Sequence, residues 1–408
     1  MNYQELYHTL RKAVNYEDDI TIVDTKTEVH NFSFDSLSYT ILSGSSVYHC
    51  KEHDADFQGF ESIKPGIESI DKNMDIPDID IRENRTFRYH VFKPANVDKF
   101  KDVVLFFHGF NEKYWDKYLP WAKKIADDTG KLVVLFPIAF HMNRAPLLWS
   151  DPRKMFELSS QRKRAFPDII DSTLSNVAIS ERLHACPQRL LWSGLQTYFD
   201  VIQFVEDCKA GNHPLIEKDF TVDFFSFSIG SLLAEILKLA NHMNYFEKSK
   251  LIMFCGGAVF NRLSPVSKFI IDSEANLAMY SYLVEHLAIH MHKNPRMEHL
   301  LGELHPEGKI FRSMLNYSVL REYREEHFRK IADKVLAITL EKDTVFPSYE
   351  VINALQGIKR DIPIEVHTID FPYEYRHEDP FPLTGSISEK VDNSFNTVFA
   401  KVVEFLCK

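Results

Sequence analysis

Long hydrophobic runs are missing from this sequence. No stretch approaches the roughly 20 consecutive apolar residues that a membrane-spanning helix needs. The first residues, MNYQELYHTLRKAVNYEDD, are charged and amphipathic without an apolar centre, so no signal peptide is expected. Paired cysteines are missing too. Cys50, Cys186, Cys208, Cys255 and Cys407 are odd in number, scattered and without a Cys-x-x-Cys. That excludes a disulfide framework and reads as reduced, mostly buried thiols of a cytoplasmic protein. Positive charge is in deficit: 48 Lys and Arg stand against 58 Asp and Glu, a net charge of −10. An acidic chain is a poor partner for nucleic acid or an anionic membrane surface, and neither is expected. No Gly-x-Gly-x-x-Gly follows a strand-like run, no HExxH occurs, and there is no internal repeat or low-complexity segment. These absences leave no signal for a dinucleotide cofactor or a catalytic metal.

What is present is a long chain of ordinary globular composition. Its 408 residues are 45% hydrophobic and 26% charged. That suffices for a large core, as one big α/β domain with additions or as two domains. From residue 85 onward, short apolar runs alternate with amphipathic stretches. Residues 103–107 (VVLFF) are a continuous apolar run, as a strand buried on both faces should be, and 132–136 (LVVLF), 251–254 (LIMF) and 335–340 (VLAITL) read as further strands. Residues 87–92 read as an antiparallel strand and 364–369 as a further strand. Helices are expected over 114–128, ending at Gly130, and over 190–208 and 388–406. The alternation predicts a mostly parallel central sheet with helices on both faces. Two long segments interrupt it, 141–189 and 264–332. Each follows the carboxyl end of a strand, where open α/β sheets place their sites, and connections there usually run about 2–6 residues. The first is expected to form a wall or lid and the second a helical cap. Residues 1–84 read as an N-terminal extension: a helix over 3–14, strands over 20–23 and 29–34, and loop over 52–80.

One stretch organises the rest. Residues 221–237, TVDFFSFSIGSLLAEIL, run from a buried strand through a turn of small residues into a helix with an apolar side. The turn reads Ser226-Phe227-Ser228-Ile229-Gly230, or S-x-S-x-G. Small residues flank Ser228 because strand and helix run close together there, and the turn pushes its hydroxyl out beside the helix N-terminus. Read alone, such a turn equally suits serines that cap a helix. The stretch resembles the nucleophile elbow of the α/β-hydrolase superfamily, departing from G-x-S-x-G only in Ser226. The resemblance covers residues 85–408 apart from the two insertions. It implies that fold, with Ser228 as nucleophile.

A serine hydroxyl is a weak nucleophile; it needs a base within hydrogen-bond reach and a carboxylate to orient that base. In the superfamily's order, serine, acid and histidine follow one another along the chain. Asp343 stands three residues past VLAITL, in Glu341-Lys342-Asp343-Thr344-Val345-Phe346-Pro347, and is the expected acid. His377, in the loop after residues 364–369, is the expected base. The spacing 343 − 228 = 115 is long because the cap lies between them, and 377 − 343 = 34 fits one helix and one strand. His108-Gly109-Phe110 after VVLFF resembles the superfamily's H-G-x element, which assigns oxyanion donors to the backbone N–H groups of Phe110 and Ile229. His108 is expected to orient that loop.

Other candidates rank lower. Glu341 is a fallback acid, and Glu378 and Asp379 read as solvated loop acids. His286, His290 and His292 include an i, i+4 pair but lack an accompanying carboxylate cluster, and read as a cap surface. The basic run Arg162-Lys163-Arg164 is expected on a solvated face; lining the cleft, it would select substrates bearing carboxylate or phosphate. The sequence therefore points to a serine hydrolase acting on the ester or related acyl bond of a small molecule, without cofactor or metal. A peptidase or amidase with the same three residues, and a non-catalytic binding protein on a hydrolase fold, are the alternatives.

Overall fold

The computed structural model describes residues 1–24, 26–58 and 76–408. Among the described residues, nine strands form one sheet: β1 (Ile20–Ile22), β2 (Thr27–Asp35), β5 (Thr86–Pro94), β6 (Phe100–Phe107), β7 (Leu132–Leu135), β8 (Ile216–Phe227), β9 (Leu251–Phe254), β10 (Val335–Leu340) and β11 (Glu365–Ile369). A separate hairpin pairs β3 (Val47–Cys50) with β4 (Ala55–Gln58). The sheet order is β1-β2-β5-β7-β6-β8-β9-β10-β11. The six strands from β7 to β11 run parallel, while β1/β2, β2/β5 and β5/β7 pair antiparallel.

The apolar runs produce this sheet because both of its faces are covered. Along β6, Val103, Leu105 and Phe107 point into one core with the long helix Arg189–Ala210 and the helix Gly230–Ala240. Val104 and Phe106 point into a second core with the helices Leu119–Thr129 and Ser388–Cys407. The same period of two divides Phe224 from Phe225 and Met253 from Phe254. A mostly parallel sheet with helices on both faces, and a strand–turn–helix at its centre, is an α/β-hydrolase fold. Gly130 ends the helix Leu119–Thr129 in a left-handed conformation, φ 69°, which spares a Cβ clash. No helix among the described residues is long and apolar enough to cross a membrane.

Part of the segment expected as an N-terminal extension lies inside this sheet. β2 pairs with β5 along its whole length, from Thr27↔Pro94 to Asp35↔Thr86. The helix Tyr3–Ala13 places Tyr3 and Leu10 in the second core. Its capping box, in which Asn2 and Glu5 exchange bonds, fixes where it starts. The expected loop over 52–80 is corrected at both ends, by β4 and by a 3-10 turn at Asp78–Asp80. Its middle, 59–75, lies outside the described residues. Strand alternation too short to register as a run explains the miss at β4.

The two long interruptions pack on each other. The helix Pro152–Ala165 belongs to the first, and its Arg162 is fully buried. Arg162 donates to both oxygens of Asp272 in the second, at 2.6 and 2.9 Å, and to Glu181 at 2.6 Å. Burial opposes its charge, but the two carboxylates more than offset that and hold its pKa above the ordinary value. Here the expectation of a solvated basic face is corrected: Lys163 and Arg164 are exposed, whereas Arg162 is the buried tie between the insertions. A helix seen end-on puts i and i+1 on different faces, so three adjacent cations need not share a fate. Two more buried groups tie the same region to the body, Asp78 with Arg182 and Arg189, and Arg144 with Asp200.

Replacing Arg162 by Met removes the cation from the fully buried Asp272 carboxylate, and a stability loss of about 3–5 kcal/mol is expected in urea denaturation. Arg164→Ala is expected to change stability by less than about 0.5 kcal/mol.

Candidate active site

Ser228 stands at the carboxyl end of β8 with φ 56°, a left-handed backbone that non-glycine residues adopt at a cost. Close packing holds it there. Its N–H donates to the Phe254 carbonyl of β9 at 3.2 Å. A Cβ on Gly230 would lie 2.6 Å from the His108 carbonyl oxygen and 2.8 Å from that of Phe107, so the helix can start against β6 only with glycine there. A Cβ on Gly256 would meet the Ser231 hydroxyl at 2.0 Å and the Ser228 carbonyl at 2.9 Å. Ser226, the departure from the usual motif, is buried and satisfied: its hydroxyl donates to the Ile252 carbonyl at 3.0 Å and meets the Ser231 hydroxyl at 3.1 Å.

The structure brings Ser228, His377 and Asp343 together. Ser228 Oγ lies 2.7 Å from His377 Nε2, and His377 Nδ1 lies 2.8 Å from Asp343 Oδ2. All three are buried. The other oxygen of Asp343 accepts from the backbone N–H groups of Val345 and Phe346, at 2.8 and 2.9 Å. Those bonds hold the carboxylate in place. The imidazole stacks with the rings of Phe227 and Phe346, each with its centroid 5.3 Å away. The contact of these two rings was not legible in the sequence, although each sits inside a motif; only the fold brings both against one imidazole. Glu341 is exposed, and Glu378 accepts from Ser267 at 2.6 Å; neither bonds His377. Burial, then the Asp343 carboxylate, pushes the neighbouring Cys255 thiol well above its ordinary pKa, so it stays protonated.

Phe110 and Ile229 line one cavity with Ser228. Among the described residues, neither backbone N–H donates to a protein acceptor. The loop bearing Phe110 is fixed through His108. Its Nδ1 donates to the Gly109 carbonyl at 2.7 Å, and its Nε2 accepts from Ile138 N–H at 3.0 Å. Burial, then the neighbouring His141, depresses its pKa far below the ordinary value. With both nitrogens engaged and no charge accessible, His108 positions the loop. Tyr118 adds a contact missed in the sequence, its hydroxyl accepting from Gly109 N–H at 2.9 Å and donating to Glu112 at 2.8 Å.

The cavity at Ser228 is small, about 30 Å³, and apolar: Phe260, Leu263, Ile270, Met279, Val345 and Phe346 are among the residues of its wall. A strap from the second interruption lines it through Pro265, Ile270 and Ile271. Asn176 donates to the Ser267 carbonyl at 2.8 Å, Thr173 to that of Lys268 at 2.6 Å, and Asn111 to that of Phe269 at 2.6 Å. Phe110 is also a wall of an outer cleft of about 360 Å³, whose polar residues include Glu112, Lys113 and Lys117. His286, His290 and His292 do not gather: His290 stacks on Tyr282 and the other two are exposed.

A methyl group on Gly230 has only backbone to push against. Gly230→Ala is therefore expected to disrupt the Ser228 turn while leaving helix content unchanged, read as loss of any Ser228-dependent labelling in protein whose circular dichroism is intact.

No curated protein matches the chain. Among solved structures it is similar to carboxyl esterase 2 from the mycorrhizal fungus Tuber melanosporum, at 12% identity and a TM-score of 0.38 over 79% of this chain and 82% of that one. It is similar to an esterase of Pyrobaculum calidifontis at 12% identity and a TM-score of 0.38, over 79% and 81%. Vibralactone cyclase aligns at 9% identity and a TM-score of 0.43, over 98% and 84%. Likenesses this distant say nothing of what the chain does. A model described as a family of unknown function, DUF6051, matches residues 1–407, and the protein belongs to that family.

Proposed function

We propose that the protein is a serine hydrolase that cleaves an ester or related acyl bond of a small molecule. The observation that carries the proposal is the unbroken line from Asp343 through His377 to Ser228, at 2.8 and 2.7 Å. Ser228 Oγ attacks the carbonyl carbon as His377 Nε2 takes its proton. Asp343 holds Nδ1–H, fixing the tautomer and stabilising the imidazolium as it forms. The amides of Phe110 and Ile229, free of other acceptors, receive the oxyanion. His377 then returns the proton to the leaving group, and water, deprotonated by the same imidazole, hydrolyses the acyl-enzyme. No step needs a cofactor.

The apolar wall of the cavity favours an apolar acyl group. At about 30 Å³ the cavity has room for about two waters. Substrate entry therefore requires the strap over 264–271 to swing away from Asn111, Thr173 and Asn176. Its polar anchors suit such a motion, since water can replace each bond on opening.

A fluorophosphonate probe is expected to label the native protein on Ser228, as read by peptide mass spectrometry, and Ser228→Ala to abolish labelling. Labelling that survives Ser228→Ala would overturn the proposal. Asp343→Asn leaves the geometry but loses the carboxylate that sets the tautomer, and kcat on an activated ester is expected to fall by about four orders of magnitude.

A further inference from the structure

A second cluster of reactive side chains lies away from Ser228. Cys50 closes β3, and His53 sits in the turn that follows, a Cys-x-x-His. His299 lies on the helix Pro295–Leu301, and His305 caps the helix Pro306–Ser313. The two halves are 299 − 53 = 246 residues apart in sequence. Their ligand atoms all fall within 4.8 Å of one another. Cys50 Sγ is 3.5 Å from His53 Nδ1 and 3.5 Å from His305 Nε2, and His305 Nε2 is 3.2 Å from His299 Nε2.

We propose that Cys50, His53, His299 and His305 form a tetrahedral Zn²⁺ site that fastens the β3–β4 hairpin to these two helices. Zinc bonds of about 2.3 Å to sulfur and about 2.0–2.1 Å to nitrogen, at tetrahedral angles, set S···N separations of about 3.5 Å and N···N separations of about 3.3 Å. The three contacts match those values. Hydrogen bonds account for them poorly. His305 Nδ1 donates to Glu307 at 2.8 Å, which leaves Nε2 as a bare lone pair facing a thiol and a second imidazole at once. One cation satisfies all four donors. Glu307, buried beside His305, is the carboxylate that orients a metal-bound histidine and raises its basicity. One thiolate and three imidazoles suit Zn²⁺, and four protein donors leave no open position, so the site is structural.

The surroundings are built for the same purpose. A Cβ on Gly308 would lie 1.7 Å from the Leu300 carbonyl oxygen, so the two helices approach as closely as glycine allows, setting His299 beside His305. Phe57 of β4 packs its ring against His299, centroids 4.5 Å apart. The hairpin needs such a fastening, because two isolated strands are at best marginally stable. None of the four donors lines the cavity at Ser228, so the inference does not depend on the proposed hydrolase activity.

The full chain, purified without chelator, is expected to carry one zinc per molecule by plasma mass spectrometry. Stripped and refilled with Co²⁺, it is expected to show tetrahedral d–d bands and a thiolate-to-cobalt charge-transfer band. Cys50→Ser should lose that band and His305→Ala the stoichiometric metal, while Cys407→Ser keeps both. Wild-type protein that carries no stoichiometric zinc and gives no charge-transfer band with Co²⁺ at neutral pH overturns the proposal, whether or not the variants fold.

Discussion

The left-handed turn at Ser228 is the constraint on which the rest of the molecule depends. Holding a serine at φ 56° costs on the order of 1–3 kcal/mol, and such a conformation persists only where its surroundings over-determine it. Here they do. The end of β6 and the residue after it meet the turn through the carbonyls of Phe107 and His108, and β9 with the turn that follows it meets it through Phe254 and Gly256. Those strands are held in turn by apolar side chains buried on both faces of the sheet. The core of the protein therefore does more than stabilise a fold. It keeps one hydroxyl aimed at one imidazole.

The partners of that hydroxyl are fixed by different physics. Asp343 is set by two backbone N–H groups, and His377 by two stacked phenyl rings. His108, buried and neutral, braces the opposing loop with both ring nitrogens. Around this rigid centre the covering segments are joined by polar contacts. Asn111, Thr173 and Asn176 hold the strap by its backbone carbonyls, and Arg162 ties the two interruptions through a buried ion pair. The apolar sheet sets the geometry around Ser228, while hydrogen bonds hold the segments that border it.

Much of the fold was legible because it is local. Runs such as VVLFF and VLAITL announce strands, and the structure places them within the sheet at 100–107 and 335–340. The capping and breaking residues that bound helices are also local, as at Gly130. The weaker readings came where pattern is short or sidedness matters. β4 has four residues, too few for alternation to register. Arg162 looks like its neighbours in sequence, yet it alone of Arg162, Lys163 and Arg164 turns inward. The motif order also named Ser228, Asp343 and His377, because each follows a strand and strand ends share one rim.

By itself, the sequence determined the alternation of elements, the small residues that a sharp strand-to-helix turn requires, and the chain order of the candidate side chains. These are properties of neighbours along the backbone, where period and residue size are directly visible. Only the tertiary structure decided which distant groups meet. It joined residues 27–35 to the sheet, laid a strap along the Ser228 cavity, and stacked Phe227 and Phe346 on one imidazole. It also converged Cys50 and His53 on His299 and His305. Contacts of that kind depend on how packed layers close in three dimensions, and no periodicity along the chain records them.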